Sequence, residues 1–286
     1  MKKLLLIFSL LLMLPCFGAA QNDIVCPYKS LKMMDNESVL NRVTGLSFLS
    51  KKIVETAIRK EIYKETGFNI DASINLFSVK ALKKGEFKEL KLKGKNLHYE
   101  SFSLAGFEAQ TICPYNRVIL KDKKIYYPQD LYMKFKGEIN NQDVQNVINS
   151  EEFKTAISKV SLKVFGVKGA SLLPPKIELK QGFVFFDVPI QTLFLKKPIN
   201  VKLYSEIGVK NNKIELKNIN VGDSSDSAFN DLIKPALNVI NPFLYNVNSA
   251  NGKYAKLFVT KAQISDNIIN IEGIVTVKKN YGGASE

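Results

Sequence analysis

The sequence predicts an α+β fold in which antiparallel sheet packs on a few helices. Apolar residues recur at helical spacing in three separated segments, and the long stretches between them alternate apolar and polar residues with period two. The strand-like stretches follow one another directly, without the crossover helix that each parallel connection needs. Consecutive strands of this kind favour antiparallel sheet with one face buried and the other in water.

The first helical segment covers 38–66, where Ser50 can cap the main part and Gly67 can end it. The second covers 141–159. The third covers 229–244 and has the widest apolar face, but two prolines within it should kink or break the helix.

The strand-like stretches are separated by turn signals. Hairpin turns are expected at 181–182, 211–212 and 266–267, where Gln-Gly, Asn-Asn and Asp-Asn tolerate positive φ. The stretch 183–190 is apolar on both faces, which predicts a strand that lies deep in the protein.

The N-terminus has the three parts of a secretory leader. Lys2 and Lys3 precede an apolar run, and small residues follow it up to Ala20. The run is shorter than the roughly 20 residues that span a bilayer. We expect export with cleavage after Ala20, to the periplasm or the outer face of the cell envelope. The alternative is a lipoprotein anchored through Cys16, which the preceding Pro15 disfavours.

The length after the leader suits one domain, 21–280, followed by a disordered tail, 281–286. The formal net charge is +14, and it falls to +12 when Lys2 and Lys3 leave with the leader. Such an excess favours anionic partners such as phospholipid head groups, cell-wall polymers or nucleic acid. A plain solvated lysine surface explains any single lysine equally well.

Two cysteines remain after cleavage, Cys26 and Cys113, each in a Cys-Pro-Tyr tripeptide. An even pair in an oxidising compartment favours a disulfide, which would tie the mature N-terminus to the middle of the chain. Two separate thiols are the alternative. A metal site is not expected, because two cysteines and the distant His98 lack ligand spacing.

Motifs of catalysis are missing from the sequence. His98 is the single histidine and lies in an alternating strand where it should be exposed, so any Ser-His-Asp arrangement would have to rest on it. There is no Gly-x-Ser-x-Gly, P-loop, dinucleotide glycine or HExxH motif. We therefore expect a protein that is not an enzyme, with no catalytic residue, cofactor or metal.

An ordered series of features covers the first half of the chain. A helix ending in Thr-Gly at 66–67 leads to an alternating strand ending at Phe77, then to a turn at Gly85 and a strand with Gly94. This series, with the stretch 139–144 before the second helix, resembles the LmeA-like family of exported phospholipid-binding proteins. That family belongs to the tubular lipid-binding (TULIP) superfamily.

The resemblance covers about residues 50–190, and beyond it only the order of elements agrees. Ser78 stands where the family often has proline, and the cysteine pair is not expected in the family. The resemblance implies a strongly curved antiparallel sheet wrapped around a long amphipathic helix, with an apolar tunnel for acyl chains.

Acyl chains need a continuous apolar lining, because each buried CH₂ contributes about 0.8 kcal/mol. The bulky residues of three segments could supply it, or could simply fill a core. The candidates are Ile53, Ala57, Ile58, Ile62, Phe183, Phe185, Phe229, Leu232, Ile233, Leu237, Ile240 and Phe243.

We therefore expect a monomeric lipid-binding or lipid-transfer protein of cell-envelope maintenance or biogenesis, with phospholipid and an anionic membrane surface as partners. The alternative is an exported, non-enzymatic module that binds anionic cell-wall polymer through its lysine-rich surface. Nucleic acid is not expected, because aromatic residues interleaved with basic ones are not evident and export argues against it.

Overall fold

The computed structural model describes Ile24 and Cys26 and residues 46–99, 102–121, 124–164, 167–192, 196–222, 240–243 and 255–279. The predicted leader, the predicted tail 281–286 and most of the third predicted helix lie outside these residues. The helices are α1 Leu46–Thr66, α2 Val79–Lys83, α3 Asn141–Asn149 and α4 Glu151–Ser158.

The strands of the first half are β1 Ile70–Asn75, β2 Glu86–Phe87, β3 Glu89–Tyr99, β4 Phe102–Thr111, β5 Asn116–Arg117, β6 Ile119–Lys121, β7 Lys124–Tyr126 and β8 Leu131–Ile139. Those of the second half are β9 Ser161–Val164, β10 Val167–Leu172, β11 Lys176–Lys180, β12 Phe183–Gln191, β13 Ile199–Lys210, β14 Lys213–Val221, β15 Ala255–Ser265 and β16 Ile268–Val277.

Two antiparallel sheets make up most of the molecule. Sheet 1 has the strand order β1-β3-β4-β8-β16-β15, and sheet 2 has the order β14-β13-β12-β10-β9, with β11 paired to β12. The C-terminal hairpin therefore returns to a sheet formed by the first half of the chain. Strands β13 and β14 lie against β15, so the sheets adjoin there. The strands of the protein are therefore largely antiparallel, and part of the sheet structure curls into half a barrel.

One apolar core lies between the inner faces of the sheets. Strand alternation buries Ile70, Ile74 and Phe135 from sheet 1 and Phe186 and Leu203 from sheet 2. Helices α3 and α4 add further residues to the same cluster, namely Val144, Val147, Phe153 and Ile157. One continuous apolar cluster of described residues therefore joins both sheets.

Helix α1 covers the free edge of sheet 1. Val54 and Ile62 pack against the core, while the Glu55 carboxylate accepts a hydrogen bond from the backbone N–H of Ile74 on edge strand β1, 3.1 Å away. Gly67 ends the helix at φ +72°, a conformation that favours glycine, and its N–H donates to Tyr63 O. The predicted helix end is thus confirmed.

Helix α3 protects the edge of β11 in sheet 2 in a similar way. The Asn141 side chain bonds both backbone groups of Leu179, accepting from its N–H at 2.6 Å and donating to its carbonyl at 3.2 Å. Gln145 Nε2 donates to Ile177 O at 2.9 Å. These amides take the place of a neighbouring strand and satisfy buried edge groups.

The second predicted helix is broken into two, and this corrects the sequence-based prediction of one helix over 141–159. Ser150 adopts an extended conformation (φ −66°, ψ 148°), and its hydroxyl accepts from Phe153 N to cap α4. At the other end, Asn140 and Asp143 form a capping box that begins α3. Each helix can therefore turn its own apolar side to the core.

The prediction that both faces of 183–190 lie deep is right for one face only. Residues 184, 186, 188 and 190 are buried, and their alternate neighbours are half-buried on the outer face of sheet 2. The α+β class is confirmed. The described ranges show neither a long amphipathic helix enclosed by the sheet nor an apolar tunnel.

Candidate functional site

The described end of the third apolar segment lies inside the core. Ile240 and Phe243 are 0% and 1% exposed and belong to the cluster shared by both sheets. Asn241 between them donates to Ile214 O on β14 at 3.5 Å and accepts from Phe243 N at 3.1 Å. The bond to Ile214 joins residues 240–243 to sheet 2, and the bond from Phe243 N lies within the segment. The candidates Phe229, Leu232, Ile233 and Leu237 fall outside the described residues.

The lipid-lining residues predicted on helix α1 lie on two different sides of the helix. Ile62 and Ile58 are half-buried, and Ile62 packs against the core. Ile53 and Ala57 are exposed on the other side, where Ile53 keeps 70% of its surface in water. The reason is the 100° turn per residue, which places both positions about 160° around the helix from Glu55, whose side chain bonds β1.

Phe183 and Phe185 lie on the outer face of sheet 2, where they form an aromatic cluster with Tyr204 of β13. The ring centroids of Phe183 and Tyr204 are 5.8 Å apart in an edge-to-face arrangement, and those of Phe185 and Tyr204 are 6.0 Å apart in a stack. Such pairs stabilise neighbouring strands. Both phenylalanines therefore point away from the core that Val184 and Phe186 enter.

A ladder of alternating charge crosses the outer face of sheet 1. Strand register places one residue of each strand in a single row, Asp71, Lys93, Glu108, Lys136, Glu272 and Lys261. Within this row Lys93 is 2.6 Å from Glu108 and Lys136 is 3.4 Å from Glu272. Arg59 of α1 extends the row to Asp71 at 3.6 Å.

Sequence reasoning missed this ladder, although its signal was visible as charged residues at alternate strand positions. Which charges become neighbours depends on strand register, which the sequence alone does not reveal. Within the ladder, Glu108 compensates Lys93 and Glu272 compensates Lys136.

Three groups in the described part of the chain have shifted pKa values. Burial alone would raise the pKa of Asp130, but hydrogen bonds from Lys278 Nζ and Lys279 N, with the two lysine charges, hold it below its usual value. The hydrogen bond from Lys93, with the charge of Lys136, lowers the pKa of Glu108 despite slight desolvation. Burial raises the pKa of Tyr127. The bonds of Asp130 join the ends of two strands, and the bond of Glu108 joins neighbouring strands. Both carboxyl groups therefore have a structural role.

A polar network surrounds the start of α3. Ser103 Oγ of β4 donates to Asp143 Oδ1 at 2.5 Å, and Asn146 Nδ2 donates to Ser103 Oγ at 3.2 Å. Asp143 also accepts from Asn140 N in the capping box. His98 is exposed, as the sequence predicts. The network joins α3 to sheet 1, and both Ser103 and Asp143 are buried.

Cys26 and Cys113 are joined in a disulfide, with Cα atoms 5.4 Å apart and a separation of 87 positions in sequence. The predicted pair is therefore confirmed, and it is compatible with export. Among the described residues, no three metal-ligating side chains cluster to form a cation site. No helix in the described ranges is both long and apolar enough to cross a bilayer.

Comparison with known proteins adds no relative, since the chain matches no family model, no curated protein and no solved structure.

Proposed function

We propose that this chain is an exported lipid-binding or lipid-transfer protein, which holds phospholipid acyl chains in an apolar interior between its two sheets. The observation that supports it most is the complete burial of Ile240 and Phe243 in the core shared by the sheets. The widest apolar face of the mature chain thus belongs to a segment whose described end reaches the interior.

Two further features agree with this proposal. The N-terminal half resembles exported phospholipid-binding proteins of the TULIP superfamily, and the curled antiparallel sheet is the kind of surface that such a protein wraps around its cargo. The disulfide suits an oxidising compartment outside the cytoplasm.

Native mass spectrometry of the chain from Gln21 onward tests the proposal directly. We expect a phospholipid adduct at fixed stoichiometry, which solvent extraction then identifies. A protein that remains bare, and stays bare after incubation with phosphatidylglycerol vesicles, would refute the proposal.

A matched pair of Phe→Leu variants tests where the lipid is held. Phe243→Leu alters the interior, and we expect it to change the amount or acyl-chain length of the retained lipid. Phe183→Leu makes the same chemical change on the outer face of sheet 2 and should leave the retained lipid unchanged. Equal effects of the two variants would contradict an interior site.

Binding of anionic cell-wall polymer is the second candidate. Exposed Lys83 and Lys84 follow one another at the end of α2 and favour it. The charge ladder weighs against it, because Lys93 and Lys136 on the broad face of sheet 1 are each paired with an acid. Polymer binding with a steep salt dependence, in a protein that carries no lipid, would favour this candidate.

A further inference from the structure

Helix α1 presents a row of apolar side chains to solvent. Leu49, Ile53 and Tyr63 are 58%, 70% and 62% exposed, and they are the most exposed large hydrophobic residues in the described part of the chain. At 100° per residue, positions 49, 53 and 63 fall on one side of the helix. We call these three residues the α1 outer stripe.

The stripe is exposed because another side of the same helix already packs on the protein. Val54 and Ile62 reach the core, and Glu55 bonds the edge of β1. The helix therefore has a second apolar side that faces solvent. Large apolar side chains exposed together in this way are uncommon in a monomeric globular protein.

The charge beside the stripe is positive. Lys60 and Lys64 are exposed on the same side of the helix, and Lys52 adjoins it with 54% of its side chain exposed. Glu55 is only 2% exposed, and the ammonium groups of Lys51 and Lys52 lie 3.7 and 3.5 Å from its carboxylate. Apolar residues therefore lie between lysines on this side.

We propose that the α1 outer stripe is the surface by which the protein docks on an anionic lipid bilayer. The helix would lie in the plane of the interface, with Leu49 and Ile53 between the head groups and the lysines at the phosphates. Tyr63 suits the same depth, because its ring is apolar and its hydroxyl is polar.

Two arguments favour a bilayer over a second copy of the chain. The stripe consists of three side chains, whereas a stable protein interface buries about 800 Å² on each partner. A second copy would also bring its own lysines against Lys60 and Lys64, and like charges repel. The docking role rests on the proposed lipid-binding function, since a lipid carrier must approach a membrane.

The chain has no tryptophan, so one introduced indole reports its own environment without background. We would label the stripe by Ile53→Trp and a distant site by Leu173→Trp, because Leu173 is a 36% exposed aliphatic outside α1. Vesicles of equal parts phosphatidylglycerol and phosphatidylcholine should shift the emission of the Ile53→Trp variant to the blue. The emission of the Leu173→Trp variant should not respond.

Co-sedimentation with the same vesicles tests the energetics. Leu49→Ser with Ile53→Ser should weaken binding roughly ten-fold or more, because two aliphatic chains no longer leave water. Lys60→Gln with Lys64→Gln should weaken it about five-fold per lysine at low salt and less at high salt. The controls Leu173→Ser and Lys176→Gln with Lys180→Gln should bind as the unchanged protein does.

Three outcomes would overturn the docking proposal. The first is an equal emission shift in the Ile53→Trp and Leu173→Trp variants. The second is an equal loss of vesicle binding in the stripe variants and the control variants. The third is self-association in sedimentation velocity that Leu49→Ser with Ile53→Ser abolishes.

Native mass spectrometry separates this failure from failure of the proposed function. The stripe variants should still retain lipid acquired during expression. A protein that docks through the stripe yet carries no lipid would refute lipid binding and leave docking intact.

Discussion

Replacement of Glu55 by alanine should destabilise the protein by about 3 kcal/mol. The Glu55 carboxylate is the partner of the Ile74 N–H at the edge of sheet 1, 3.1 Å away, and Ile74 is 3% exposed. A hydrogen bond to a charged group contributes roughly 1.5–3 kcal/mol, and a buried N–H left without a partner costs a similar amount when the acceptor is removed. The two lysine contacts add less than about 1 kcal/mol each, because both lysines are partly exposed.

Glu55→Gln separates these contributions, because an amide oxygen still accepts from Ile74 N while the charge is lost. We expect this variant to cost about 1 kcal/mol. The matched control is Glu151→Ala, since Glu151 is also helical and faces a lysine at 3.3 Å but is 90% exposed. It should change the free energy of unfolding by at most about 0.5 kcal/mol.

Urea unfolding of the four proteins measures these differences, and hydrogen exchange of the Ile74 amide reports the local bond. The amide should exchange faster in Glu55→Ala and remain protected in Glu55→Gln. The reasoning is refuted if Glu55→Ala is as mild as Glu151→Ala, or if Gln is as damaging as Ala at position 55.

Three further changes have expected outcomes. Reduction of the disulfide should lower the free energy of unfolding by about 4–5 kcal/mol in the chain-entropy description of a loop of 87 residues, and a loss below about 1 kcal/mol in urea titrations would contradict this. Asn141→Leu removes both bonds to the Leu179 backbone and should cost about 2–3 kcal/mol in the same titrations, whereas Asn141→Asp, which keeps the acceptor, should cost less. The lowered pKa of Asp130 contributes stability above its ordinary value of 3.8, and that stability is lost as pH falls through the folded-state pKa. Asp130→Asn should remove this part of the pH dependence of stability. If the free energy of unfolding of the variant falls as much as that of the unchanged protein between about pH 5 and 2, the range in which such a carboxylate titrates, the bond to Lys278 has no effect.

Local turn chemistry was predictable from the sequence. Gln181 and Gly182, Asn211 and Asn212, and Asp266 and Asn267 all have positive φ at the predicted hairpin turns. These residue types tolerate the left-handed region, so short-range sterics alone select the position of the turn. The same holds for the end of α1 at Gly67.

The division of the second helical segment was less visible. Apolar spacing continues across Ser150, so periodicity alone indicates one helix over 141–159. Ser150 caps α4 because its hydroxyl binds Phe153 N, while α3 must turn differently to reach β11 and β4. Helix α3 packs on β4 and β11 and helix α4 packs on β10, so packing on different strands, not helix propensity, accounts for the break.

The candidate site was predictable only in part. Strand alternation indicates that 183–190 has two apolar sides, yet it does not say which side meets the other sheet. Phe183 and Phe185 lie outward, because the side chains of Val184 and Phe186 on the opposite face belong to the core. Ile53 lies outward for a similar reason, since Val54 and Glu55 make the contacts with β1 and the core.

The sequence by itself determined the class of fold, the turns, the end of the first helix and the pairing of the only two cysteines expected after leader cleavage. These follow from residue type and short-range geometry. Tertiary structure alone decided the strand order, the helices that protect the sheet edges, the charge ladder and the apolar side of α1 that faces solvent. The physical reason is that each of these depends on register and packing between segments far apart in the chain, where many pairings satisfy the same local pattern and only the common core selects one.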